Sequence, residues 1–200
     1  AEIARNEIAS PHGKITLTAV YSGGRAGWAE WALRRAGDFV LAMERWTGVP
    51  APREVRVEGR DEVWFGPPGK AEKRVGGVND GKSAIVEYGL SEIGEPWLLF
   101  HELAHFWYGY SPGQPESVSW LVEGIVSFAQ IAMAEDGFLS MAPGEVHAAY
   151  SRWGSPDHDF LPWDYPLELD RRYSRPLPGE PEGAAYGLFY DKSFKAMHHV

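Results

Sequence analysis

The chain carries His101-Glu102-Leu103-Ala104-His105, an H-E-x-x-H arrangement. Residues four apart share a helix face, so both imidazoles can reach one ion, while Glu102 is rotated off that line toward a water the ion would hold. This division of labour suits hydrolysis. Zinc lowers the pKa of bound water from about 15.7 toward ~7 and polarises a scissile carbonyl, and the glutamate takes the proton and passes it to the leaving amine. An accidental pair on a solvated helix is the bland alternative. It fits poorly beside Leu98, Leu99, Phe100, Phe106 and Trp107, because histidines on so apolar a helix need partners.

Zinc also takes a third protein ligand and leaves a fourth position open to water. The chain has no cysteine, which excludes thiolate sites, disulfides and a cysteine nucleophile, so any metal must sit on His, Asp or Glu. Glu123, within Trp120-Leu121-Val122-Glu123-Gly124, is the sole acid between Glu116 and Glu135. A return through a short turn brings it opposite His105. Its neighbours Leu121, Val122, Ile125, Val126 and Phe128 are apolar, and an unpaired carboxylate among them would be costly.

These residues need elements to hold them. A helix is expected from Pro96 to Trp107 and another from Glu116 to Ala134, joined by the turn Gly109 to Pro115. Upstream, Lys14 to Tyr21 reads as a strand, and Gly27 to Thr47 as an amphipathic helix whose apolar stripe includes Trp28, Ala32, Phe39, Val40 and Met43. Glu54 to Glu58 and Ser83 to Tyr88 read as strands, with a loop-rich stretch from Gly66 to Gly81 between them. Ser155 to Pro181 reads as a long irregular loop before a last helix from Gly183.

At 200 residues the chain suits one domain with a sizeable core, and nine each of Trp, Tyr and Phe along its length mark it as folded throughout. Nineteen basic against 28 acidic residues give a formal charge of −9, which offers no footprint for nucleic acid or an anionic membrane. No stretch approaches the ~20 apolar residues of a membrane span. The chain starts at Ala1 and stops at Met197-His198-His199-Val200, which is compatible with a processed chain or a piece cut from a longer one.

His101 to Gly109, His-Glu-Leu-Ala-His-Phe-Trp-Tyr-Gly, resembles the H-E-L-A-H-x-W-F-G stretch of the aminopeptidase-N-type gluzincins, and Trp120 to Gly124 resembles their W-L-N-E-G. The resemblance implies a thermolysin-like α+β fold within a single catalytic domain over residues 1–200. Its N-terminal mixed α/β-sheet lobe (about 1–94) would face a mainly helical lobe (about 95–200) across a cleft. It also implies zinc, with His101, His105 and Glu123 as ligands and Glu102 as general base. Two departures are Val122 in place of the motif's Asn and a spacing between His105 and Glu123 that is one residue short.

Further correspondences follow from the same resemblance. Tyr190-Asp191-Lys192-Ser193-Phe194 is similar to the Y-E-K-G-like stretch whose tyrosine hydrogen-bonds the oxyanion; Tyr190 is the first candidate and Tyr186 the second. Gly76-Gly77-Val78-Asn79-Asp80 is nearest to the G-x-M-E-N loop that binds substrate, with Asn79 where the amine-holding Glu should stand. Gly76, Gly77 and Asn79 are therefore substrate-binding candidates. Either Asp80 takes over the amine, or the segment aligns an extended peptide by strand addition.

The resemblance runs from roughly Gly76 to Phe194 and implies a peptide or protein substrate, with further domains expected in a longer chain. A silent gluzincin-like accessory module with a structural zinc, or the truncated core of a larger aminopeptidase, is the alternative. Glu102 argues for the enzyme, since a structural zinc site closes its fourth position and has no use for a base. Asp157-His158-Asp159 are adjacent loop residues that converge poorly on one ion, His147 suits a helix surface, and His198-His199 lacks a partner. The glycine pairs lack the lysine and serine of a phosphate loop.

Overall fold

The computed structural model describes residues 1–65, 72–74, 76–91, 95–109 and 119–153. These residues form a mixed α/β structure with one principal sheet and five helices. Strands β1 (Glu2–Ser10) and β2 (Gly13–Tyr21) make a hairpin in which Ser10 pairs with Gly13 and Glu2 with Tyr21. Along β2, Ile15, Leu17, Ala19 and Tyr21 are buried at every second position, which is the pleat expressed as burial.

Helix α1 (Ala26–Thr47) follows and lays its apolar stripe on the sheet. It ends at Gly48, whose left-handed φ of 70° lets its N–H return to the Glu44 carbonyl at 2.9 Å. The chain then enters β3 (Glu54–Arg60), parallel to β2, completing a strand–helix–strand crossover. A two-stranded ribbon of β4 (Val63–Phe65) and β5 (Glu72–Arg74) precedes β6 (Gly77–Asn79) and β7 (Ser83–Glu87). β7 lies parallel to β3 and antiparallel to β6, so the sheet order is β1-β2-β3-β7-β6.

The remaining helices are α2 (Tyr88–Ser91), α3 (Trp97–Ala104), α4 (Ser119–Glu135) and α5 (Pro143–Trp153). α3 packs against α1, α4, β6 and β7. One continuous core therefore runs from Ile15 and Leu17 on β2 through Val57, Ala84 and Val86 to Leu99 and Leu103 on α3, Val126 and Met133 on α4 and Ala149 on α5. At its centre the rings of Phe39 and Phe100 stack with centroids 4.9 Å apart. Truncating either to alanine is expected to cost about 3–5 kcal/mol. Arg35 on α1 reaches Glu145 on α5 at 3.0 Å and covers the Phe100 ring from 5.0 Å, tying three helices together.

Several boundaries differ from expectation. β1 is a mostly exposed edge strand whose polar sequence shows no alternation, and it is held by its hairpin partner. The stretch read as loop between Gly66 and Gly81 contains β5 and β6, each three residues long and too short to show a period. The strand expected to reach Tyr88 stops at Glu87, because Tyr88 opens α2. The helix expected to reach Trp107 is α-helical only to Ala104, after which Phe106 and Trp107 bond back to Leu103 and Ala104 in a tighter turn. The first residues of the helix expected from Glu116, the loop from Ser155 to Pro181 and the helix from Gly183 lie outside the described residues. No helix among the described residues is long and apolar enough to cross a membrane.

Candidate metal centre

α3 carries His101, and His105 follows one turn later at its C-cap, so their rings meet edge to face with centroids 5.1 Å apart. α4 packs across α3 and delivers Glu123, whose Oε2 lies 3.2 Å from His101 Nε2 and 3.8 Å from His105 Nε2. One ligand atom from each residue falls within 4.8 Å of the others, and all three residues are buried. A tetrahedral ion bound at ~2.0–2.1 Å sets its donors roughly 3.3 Å apart, so the spacing suits zinc.

The imidazole nitrogens turned away from Glu123 are also engaged. His101 Nδ1 lies 3.2 Å from Ser127 Oγ, and His105 Nδ1 lies 3.4 Å from the Tyr108 carbonyl. A carbonyl only accepts, so His105 carries its proton on Nδ1 and presents a lone pair at Nε2. Burial, partly offset by the Glu123 charge, pushes the His105 imidazole down to about 4, which keeps it in the neutral form a metal requires. A lone pair facing a carboxylate oxygen at 3.8 Å is favourable only with a cation between them. The donor set therefore fits zinc.

Glu102 is 5% exposed. Burial first, and then the Glu123 charge, raises its carboxyl well above the usual carboxylate range. Its side chain lies against Gly77 on β6, where a Cβ would stand 2.7 Å from Oε1. Only glycine permits that approach with the carboxylate where it is.

Gly77 and Asn79 face α3 from alternate positions of β6. Asn79 Nδ2 donates to the Glu102 main-chain carbonyl at 2.7 Å, and Asn79 Oδ1 accepts from Gly81 N–H at 2.8 Å. Gly76, at φ 95°, packs on Leu98 and accepts from the Glu87 N–H through its carbonyl. Asp80 closes its own turn by accepting from the Lys82 and Ser83 N–H groups. α4 is further tied to α3 by the fully buried Gln130, whose Nε2 donates to the Trp97 carbonyl at 3.1 Å.

The structure thus brings together His101, Glu102, His105 and Glu123, with Gly77 and Asn79 on the neighbouring strand and Gly76 just before it. Tyr186, Tyr190, Asp157-His158-Asp159 and His198-His199 lie outside the described residues. His147 is exposed on α5. Ser127 was not singled out from sequence, although its place one helical turn beyond Glu123 is a readable signal for a residue beside the same site.

No family model matches the chain, and neither does any curated protein. Solved structures share the fold. An M1 zinc metallopeptidase from Deinococcus radiodurans matches with a TM-score of 0.53 at 18% identity, over 96% of this chain and 37% of that one. A two-domain M1 zinc metallopeptidase variant bound to L-tryptophan matches at 0.51 and 16% identity, over 98% of this chain and 39% of that one. A variant from Deinococcus radiodurans bound to a Tyr-Ser-Ala substrate matches at 0.51 and 16% identity. The chain spans less than two-fifths of the length of these proteins. Likeness at this identity is a statement about fold, and the fold is the one these M1 zinc metallopeptidases display over the matched region.

Proposed function

We propose that the chain hydrolyses peptide bonds as a zinc-dependent peptidase of the gluzincin kind, with His101, His105 and Glu123 as the ligands and Glu102 as the general base. The observation that carries this reading is the convergence of two imidazole nitrogens and a carboxylate oxygen within 4.8 Å, beside a second buried carboxyl group, that of Glu102 on the helix that carries His101. A shared fold with M1 zinc metallopeptidases supports it. Zinc in that site supplies a Lewis acid for the scissile carbonyl and acidifies the attacking water.

The protein's own residues do the rest. Glu102 accepts the proton of the attacking water and hands it to the departing nitrogen. Its buried position excludes competing water and keeps the carboxylate in one orientation. Tyr190, with Tyr186 as the second candidate, donates to the developing oxyanion.

The substrate backbone pairs with β6 through Gly77 and Asn79, and Gly76 anchors the start of that strand on β7. The ladder bonds Glu87 N–H to Gly76 O and Asp80 N–H to Ser83 O set the alternation, so the main-chain groups of Gly77 and Asn79 turn away from β7. On this reading the sheet-bearing part (about 1–94) and the helical part (about 95–200) form the two lobes of a thermolysin-like cleft, and further domains belong to a longer protein.

The test is incubation of zinc-loaded protein with a mixed peptide library, with product termini read by mass spectrometry. Internal cuts establish an endopeptidase, and stepwise loss from the N-terminus an aminopeptidase. Intact peptides, with zinc bound at the site, would reject the reading.

A further inference from the structure

We propose that Asn79 is a positioning residue that fixes the C-terminal end of α3, and with it Glu102 and His105, by capping a helix carbonyl from outside the helix. The inference deepens the peptidase reading, which makes Glu102 the base, but its geometry stands without a substrate. The last carbonyls of any α-helix lack partners within it. In a helix that continued, the Glu102 carbonyl would accept from Phe106 N–H. Here Phe106 N–H bonds to Leu103 at 3.1 Å, and the N–H groups of Trp107 and Tyr108 both bond to Ala104 at 3.0 Å. The tightened turn serves Leu103 and Ala104 and passes over Glu102.

Asn79 fills that gap from the sheet edge. Its Nδ2 donates to the Glu102 carbonyl at 2.7 Å over a sequence separation of 23 residues, while Gly81 N–H holds its Oδ1 at 2.8 Å. Both ends of the carboxamide are engaged, so the side chain is oriented before any ligand arrives. Two residues earlier and on the same face of β6, Gly77 admits the Glu102 carboxylate within the space a Cβ would fill. A single short strand therefore sets Glu102 twice, through its main chain by Asn79 and through its side chain by Gly77. The same cap steadies the turn on which His105 and its partner carbonyl Tyr108 lie. Placement of the metal helix is thereby coupled to the register of the edge strand.

The test compares Asn79→Asp with Asp80→Ala in the full chain. Asn79→Asp keeps an oxygen for Gly81 N–H and removes the donor to Glu102; Asp80→Ala loosens the same β6–β7 turn without touching α3. In metal-free protein, amide hydrogen exchange at Phe106, Trp107 and Tyr108 is expected to quicken about tenfold in Asn79→Asp and to stay near wild type in Asp80→Ala. Competition with a zinc chelator should show a weakening of about tenfold for Asn79→Asp alone, the lower end of what loss of a supporting contact does to a metal site.

Unchanged exchange in Asn79→Asp, or equal effects from both variants, would overturn the assignment. Should Asn79→Asp fail to fold, Asn79→Ser carries the same comparison, since its hydroxyl keeps the turn and is too short to reach Glu102. Neither readout uses a substrate. An absence of cleavage by the wild type would therefore sink the peptidase reading and leave this result standing.

Discussion

His101 on α3 and Glu123 on α4 meet with Nε2 and Oε2 only 3.2 Å apart, so the candidate metal centre is also a contact between two helices that pack across each other. An ion bound there links two helices that residues 105–118 separate in the sequence. Loading zinc at a hundredfold excess over its Kd is expected to raise the unfolding free energy by about 2.7 kcal/mol, visible as a higher Tm. Glu123→Ala should abolish that rise. An equal zinc-induced shift in Glu123→Ala would place the ion elsewhere.

Ser127 offers a second check on the ligand geometry. Its hydroxyl, fully buried and 3.2 Å from His101 Nδ1, orients the ring so that Nε2 faces Glu123. Partners of this kind are worth roughly 10–100-fold in metal affinity. Ser127→Ala is expected to weaken zinc binding within that range, measured by chelator competition. Affinity equal to wild type would mean that packing alone sets the ring.

Gly77 separates placement of the base from binding of the metal. Gly77→Ala puts a methyl group 2.7 Å from Glu102 Oε1, and a buried carboxylate must move to make room. Displacement of a reacting group by ~1 Å costs on the order of a hundredfold in rate. Kinetics should therefore show a fall in kcat of between ten- and a hundredfold with bound zinc unchanged. Loss of zinc together with rate would point to collapse of the site.

Away from the centre, Glu58 on β3 sits between Arg56 and Arg60, with one 2.8 Å bond to each carboxylate oxygen. Burial alone would raise its pKa, but the two guanidinium groups together hold it below the ordinary 4.5. The unfolded chain then binds the proton more readily, so this contribution is present above about pH 4.5 and is lost as the pH falls through the lowered value. Glu58→Gln is expected to flatten the acid limb of the stability profile measured by urea unfolding. An unchanged limb would assign acid sensitivity to other carboxylates.

The residues legible in sequence are those whose signal is local. His101, Glu102 and His105 announce themselves by spacing on one helix, and β2, α1, β3 and β7 by period and composition. Glu123 was reachable because an isolated acid in an apolar helix demands a partner. The parts that were not legible depend on tertiary pairing. β1 shows no alternation because most of it is exposed, and β6 is three residues long. Asn79 could be noticed only as the residue standing where a resemblance expected a glutamate. Its bond to Glu102 depends on where α3 tightens, which no local pattern around Asn79 encodes.

The most direct measurement of the central claim is Glu102→Gln beside wild type, reading zinc stoichiometry and peptide cleavage in the same preparations. A base that is not a ligand predicts one zinc per chain in both proteins and cleavage only in the wild type. Near-wild-type cleavage by the variant with zinc in place would contradict the assignment of Glu102.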